Sequence, residues 1–139
     1  MEADKPWDEQ QPVQLPPLGE STGYFQVWSW SLDGQWLAGF GFAGAPQGIY
    51  IYSFDSGEYE KLTDSGGNPR WLSDSRTLAY DDAGGIRAVD RVSKEIWEVL
   101  PGPGLGYMVP SPDDRSLYYQ FSPPPEADIW LIELPDEPQ

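Results

Sequence analysis

The chain has 139 residues, enough for one small domain, and carries 23 acidic against 8 basic residues for a net charge of −15. It contains neither Cys nor His, which excludes disulfides, thiolate nucleophiles, His-based triads and the usual zinc or copper sites. So negative a surface repels phosphate backbones and anionic lipid, so no nucleic acid partner is expected. No apolar run nears the ~20 residues of a membrane span, so no membrane insertion is expected either.

Seven Trp, eight Tyr and five Phe stand among 15 Gly and 15 Pro. Aromatics favour half-buried strands while Gly and Pro interrupt helices, so the composition predicts short strands joined by turns. Residues 1–18 form an acidic, Pro-rich lead without the basic and apolar regions of a signal peptide. A cytoplasmic location is expected if the chain is whole, and a periplasmic or extracellular one if it is a fragment of an exported protein. Within the lead, Val13-Gln14-Leu15-Pro16-Pro17 parallels Glu98-Val99-Leu100-Pro101-Gly102, and both run on to Gly-Tyr, at Gly23-Tyr24 and Gly106-Tyr107. The lead is therefore a candidate closing strand d, the outermost strand of a four-stranded unit.

The next elements repeat. Trp30-Ser31-Leu32-Asp33-Gly34-Gln35-Trp36-Leu37-Ala38 is followed by Trp71-Leu72-Ser73-Asp74-Ser75-Arg76-Thr77-Leu78-Ala79, and then by Pro110-Ser111-Pro112-Asp113-Asp114-Arg115-Ser116-Leu117-Tyr118. Asp33, Asp74 and Asp113 align at a spacing near 40, the length of a four-stranded propeller blade. A second half recurs as Gly48-Ile49-Tyr50-Ile51-Tyr52, Gly85-Ile86-Arg87-Ala88-Val89 and Asp128-Ile129-Trp130-Leu131-Ile132. In the first two units a hairpin then leads to a further strand, ending at Leu62 and Leu100. The reading is an all-β fold, a partial β-propeller of about three four-stranded antiparallel blades, over residues 19–134 (about 24–64, 65–102 and 103–134), with a short tail at 135–139. In each unit strand a ends near the Trp, an Asp turn leads into b, a loop reaches c, and a hairpin returns d.

These units resemble the TolB-like propeller repeat, which is related to WD repeats. Its pattern is a Trp-Ser-Pro-Asp-Gly turn, an Ile/Leu-Ala-Phe/Tyr strand, an Ile-Tyr-Val strand and a Leu-Thr. Trp30 to Gly34, Leu37 to Phe40, Ile49 to Ile51 and Leu62-Thr63 match one copy. The second copy puts Ser73 for Pro and Ser75 for Gly; the third puts Pro110 for Trp and keeps Ser111-Pro112-Asp113. The resemblance covers about Tyr24 to Leu134 and implies a scaffold or binding module without catalysis of its own. It implies no particular partner.

The aspartates read as turn chemistry rather than catalysis: Asp33, Asp74 and Asp113 bond their own backbone, and Gly34 accepts positive φ. Trp30 and Trp71 read as packing at the end of strand a. The b-to-c loops differ between units, and varied loops on a repeated scaffold are where binding concentrates. Phe42 and Gln47 stand at the first loop, Asp81 and Asp82 at the second, Phe121 and Glu126 at the third. Phe42 and Phe121 are either recognition aromatics or packed onto the blade edge. Asp81-Asp82 offers oxygens to a hard cation but lacks the dense ladder of a calcium loop, so neither a metal nor any other cofactor is expected.

The expected function is a non-catalytic binding or scaffold module for a protein or a small ligand. The alternative is a propeller segment of a larger enzyme such as a prolyl-oligopeptidase-like hydrolase. Three blades expose two sheet faces, with Trp28, Tyr50, Tyr52, Trp130 and Ile132 among the residues expected to pack between blades. Two copies joined head to tail would close a six-bladed ring, with Val13 to Leu15 of one beside Ile129 to Leu134 of the other; further blades in a longer chain would serve equally.

Overall fold

The computed structural model describes residues 4–20 and 23–121. Glu126, Trp130, Ile132, the strand expected at Ile129 to Leu134 and the tail lie outside the described residues. The protein is all-β. Among the described residues, apart from a 3-10 turn at Trp7–Glu9, every regular element is a strand of an antiparallel sheet.

Blade 1 comprises β1 (Tyr24–Trp30), β2 (Trp36–Phe42), β3 (Ile49–Ser53) and β4 (Tyr59–Lys61), in that spatial order. Blade 2 comprises β5 (Gly67–Trp71), β6 (Thr77–Asp82), β7 (Gly85–Asp90) and β8 (Ile96–Leu100), again in order. The described part of blade 3 is the pair β9 (Leu105–Pro110) and β10 (Leu117–Phe121). Together they make a partial propeller. β3 is buried at every position, which is why Ile-Tyr-Ile-Tyr runs without polar alternation: both its faces are covered.

The pleat decides which side chains meet. Ala38 pairs with Ile51 and Phe40 with Ile49 across β2 and β3, so these residues share the face toward blade 2. There they join Leu62 and meet Trp71, Leu78, Tyr80 and Val89 of blade 2 in one buried cluster. Fully burying Ile49, Ile51, Leu78 or Val89 contributes about 1.5–3 kcal/mol each. The same arrangement recurs one blade on, where Ala79, Ile86 and Leu100 meet Leu105, Met108 and Leu117.

Hydrogen bonds spaced by about one blade tie the inner strands together. The Ser29 hydroxyl donates to Pro69 O at 2.9 Å across 40 residues of sequence, and Trp71 N donates to Ser29 Oγ at 3.3 Å across 42. Arg70 lies between all three blades: its Nε donates to Met108 O at 3.2 Å and its Nη1 to Trp28 O at 3.3 Å. The guanidinium also lies 5.7 Å from the Trp28 ring, which stacks on Tyr107 at 5.8 Å and 15°.

The lead departs from the strand expected of it. Residues 10–17 belong to no strand, because Pro12, Pro16 and Pro17 lack the N–H that a ladder needs. The lead instead covers the face of blade 1 turned away from blade 2, where Leu18 is buried with Ala45 and Tyr50 against Phe25 and Tyr59. The Tyr59 hydroxyl donates to Pro16 O at 2.7 Å. No helix among the described residues is long and apolar enough to cross a membrane.

Candidate functional site

The two ends of the blades differ in kind. At the a-to-b end, each unit makes the same turn. Ser31 Oγ donates to Asp33 Oδ1 at 2.6 Å, Gln35 N to the same oxygen at 3.0 Å, and Trp36 N to Ser31 Oγ at 2.9 Å. The third unit repeats this with Ser111 Oγ and Arg115 N on Asp113 Oδ1, at 2.6 and 3.2 Å, and Ser116 N on Ser111 Oγ at 3.0 Å. The second unit closes its turn differently: the residue two positions before its aspartate is Leu72, which has no hydroxyl, and Thr77 takes over from the other side. Thr77 N donates to Asp74 Oδ1 at 2.8 Å and Thr77 Oγ1 to Asp74 Oδ2 at 2.7 Å, with Arg76 N also on Oδ1 at 2.9 Å.

The residue after each aspartate is left-handed: Gly34 at φ 74°, Ser75 at φ 52° and Asp114 at φ 58°. Neighbouring turns are also joined. Asp33 N donates to Ser75 Oγ at 3.0 Å, and Ser73 N donates to both Asp114 carboxylate oxygens at 3.1 and 3.0 Å. Donors lower the carboxylates' pKa values: the Ser31 hydroxyl leads for Asp33 and the Ser111 hydroxyl for Asp113. At Asp74 partial burial pulls upward, but the Thr77 and Arg76 donors outweigh it and the net shift is again downward. Hydrogen bonds donated to a carboxylate favour its ionised form.

At the opposite end the loops differ, and they enclose a cleft of about 440 Å³ between blades 1 and 2. Gln47 comes from the first b-to-c loop, Asp81 and Asp82 from the second, and Ser65 to Asn68 from the crossover between the blades. Ala83 and Gly84, at φ 52° and 81°, turn β6 directly into β7 and so hold the Asp81-Asp82 pair at the rim. Asn68 Nδ2 donates to Asp81 Oδ2 at 2.9 Å. Ser65 Oγ donates to Asp82 Oδ2 at 3.0 Å, and Arg87 Nη1 lies 3.3 Å from the same oxygen. Asp81 Oδ1 is shut off from solvent and accepts no hydrogen bond. Gly66 lies so close to the Tyr80 ring that a Cβ would come within 2.5 Å of it, which fixes the crossover against the blade.

Of the six loop residues singled out in the sequence, Gln47, Asp81 and Asp82 come together here. Phe42 does not line the cleft; its ring packs at 5.4 Å on Tyr24 across the blade edge and is 47% exposed. Phe121 stands apart at the end of β10, and Glu126 lies outside the described residues. Ser65 and Asn68 were not singled out, because their crossover segment carries no repeated signal. Among the described residues no group of three or more carboxylates is placed to hold a metal ion.

A second depression, of about 520 Å³, opens at the a-to-b end of the inner strands, between Trp28, Trp30, Arg70, Trp71 and the Pro110 to Pro112 turn. Trp71 is buried, whereas Trp30 is 55% exposed and stacks on Phe54 at 5.2 Å. The aligned tryptophans therefore differ: one is core and the other a rim residue, since among the described residues only Trp71 has a preceding blade to bury it. No family model matches the chain, and no curated protein matches it.

Proposed function

We propose that this protein is a non-catalytic binding module of the TolB-like propeller kind, which holds a protein segment or small ligand in the cleft between its first two blades. The observation that carries the reading is the convergence of three loops from two blades on that cleft, with the Asp81 and Asp82 carboxylates held at its rim by Asn68 and Ser65. The cleft's own polar groups, two amides, a hydroxyl and two carboxylates, suit a ligand that brings ammonium, guanidinium, hydroxyl or amide donors. The aspartates at the other end support the same reading by accepting hydrogen bonds within their own turns.

The test is a titration of isotope-labelled protein with a panel of short basic, acidic and neutral peptides and simple sugars, read by amide NMR shifts. Shifts are expected at Gln47, Asn68 and Asp81 to Gly84, and Asp81→Asn should weaken the bound member by about tenfold, or 1.4 kcal/mol, without lowering the melting temperature. Shifts confined to the a-to-b turns, or turnover of any panel member, would contradict it.

A further inference from the structure

Blades 1 and 2 are built from the same repeat, yet their faces toward the preceding blade differ. In blade 2 that face carries Trp71, Leu78, Tyr80 and Val89, all buried against blade 1. The corresponding positions in blade 1 are Trp30, Leu37, Gly39 and Tyr52. The large Tyr80 is thus replaced by Gly39, and the space is filled from within: a Cβ on Gly39 would lie 2.7 Å from the Phe25 ring. Leu37, Tyr50 and Tyr52 are nonetheless at most 8% exposed, although no described blade stands before them. What adjoins this face is the lead.

Its hold is uneven. Leu18 is buried on Ala45 and Tyr50, and Pro16 O accepts from the Tyr59 hydroxyl. Nearer the start of the chain the fit loosens, and a cleft of about 450 Å³ lies between Trp7, Gln10 to Val13, Leu15 and the rings of Tyr52 and Phe54. Trp7 is 74% exposed and Val13 87%. At the other side of the described residues, Val109 and Tyr118, which pair across β9 and β10 on the face of blade 3 turned away from blade 2, are 55% and 80% exposed. Among the described residues, one outer face of the repeating stack is therefore covered and the other is exposed.

We infer that the lead is a displaceable cover. It occupies the position of a neighbouring blade on blade 1 and so blocks head-to-tail docking of a second copy's third blade. The second copy is the occupant because its Val109–Tyr118 face is the face a blade presents to the blade after it, as Ala38 and Ile51 of blade 1 are presented to blade 2. Such a contact is heterologous, so whatever uncovers blade 1 makes the chain assemble, into a ring or a chain of copies. This inference concerns assembly and stands independently of the binding cleft.

Sedimentation velocity of the full chain and of Leu18→Asp, at matched micromolar concentrations and with circular dichroism to establish folding, tests it. The full chain should sediment as a monomer and the folded Leu18→Asp variant as a dimer or larger species. Adding Tyr118→Asp, a change at an exposed position, should return that variant to monomer. If Leu18→Asp fails to fold, deletion of residues 1–15, which leaves Leu18 in place and strips the cover from Tyr52 and Phe54, is read the same way. A folded variant that stays monomeric would overturn the inference. So would a full chain that is already dimeric and comes apart when the lead is removed, since the lead would then be an exchanged strand.

Discussion

The two ends of the blades are made from the same repeat and differ in how far they repeat. At the a-to-b end, Asp33, Asp74 and Asp113 close three equivalent turns whose hydrogen bonds run within each turn and on to the next blade. At the b-to-c end both loops open on an Ala-Gly pair at positive φ, Ala43-Gly44 and Ala83-Gly84, but blade 1 then runs on through Ala45, Pro46 and Gln47 where blade 2 enters β7 directly. Repetition there ends after that pair. The difference teaches where to look for function in a repeat protein: side chains that recur with their partners hold the scaffold, and those that do not recur are free to recognise.

Changes under both ends, in the shared core, have the largest expected effect and should not distinguish them. Leu78 is fully buried between blades 1 and 2, and Leu78→Ala should cost about 2–5 kcal/mol through lost burial and the cavity left behind. Urea unfolding followed by tryptophan fluorescence would measure it. A loss under about 1 kcal/mol would mean that the two blades do not pack as described.

The turn end sharpens the comparison at a smaller scale. Asp74→Ala removes an acceptor used by Thr77 N, Thr77 Oγ1 and Arg76 N, at an exposed position where solvent replaces part of the loss. It should cost about 1 kcal/mol. The pH dependence has a definite sign. Asp33, Asp74 and Asp113 are shifted downward in the folded protein, so their contribution is fully present above the ordinary carboxylate value of about 3.9. It is lost as pH falls through the lowered pKa values. Melting temperatures from pH 7 to 2 should fall only on that acid limb, and Asp74→Ala should flatten it. An unchanged limb would show that the turns do not hold their carboxylates ionised.

What could be read in the sequence follows the same division. Asp33, Asp74 and Asp113 were legible because each turn is made by neighbours in sequence and occurs three times. Gln47, Asp81 and Asp82 were legible as loop residues, but their meeting in one cleft was not, because the crossover residues Ser65 and Asn68 that complete it follow no period. Arg70 was missed for a related reason: its partners are the carbonyls of Trp28 and Met108, one blade away on either side. The lead was not legible because Val13 to Pro17 parallels Glu98 to Gly102 in sequence, while residues 10–17 form no strand among the described residues. Its true neighbours, Ala45, Tyr50 and Tyr59, are spaced by no rule that a repeat supplies.

The claim that recognition belongs to the b-to-c end and stability to the a-to-b end is tested most directly by exchanging one loop. The exchange keeps the Ala43-Gly44 turn and the buried Ala45 and replaces only Pro46-Gln47 by Gly-Ser, and both melting and affinity for the peptide or sugar selected by NMR would be measured. The account predicts a cooperative melt within a few degrees of the parent, roughly the shift of a 0.5–1 kcal/mol change, together with loss of most of the binding. A variant that binds as the parent does, or one that loses binding only because it no longer folds, would contradict it.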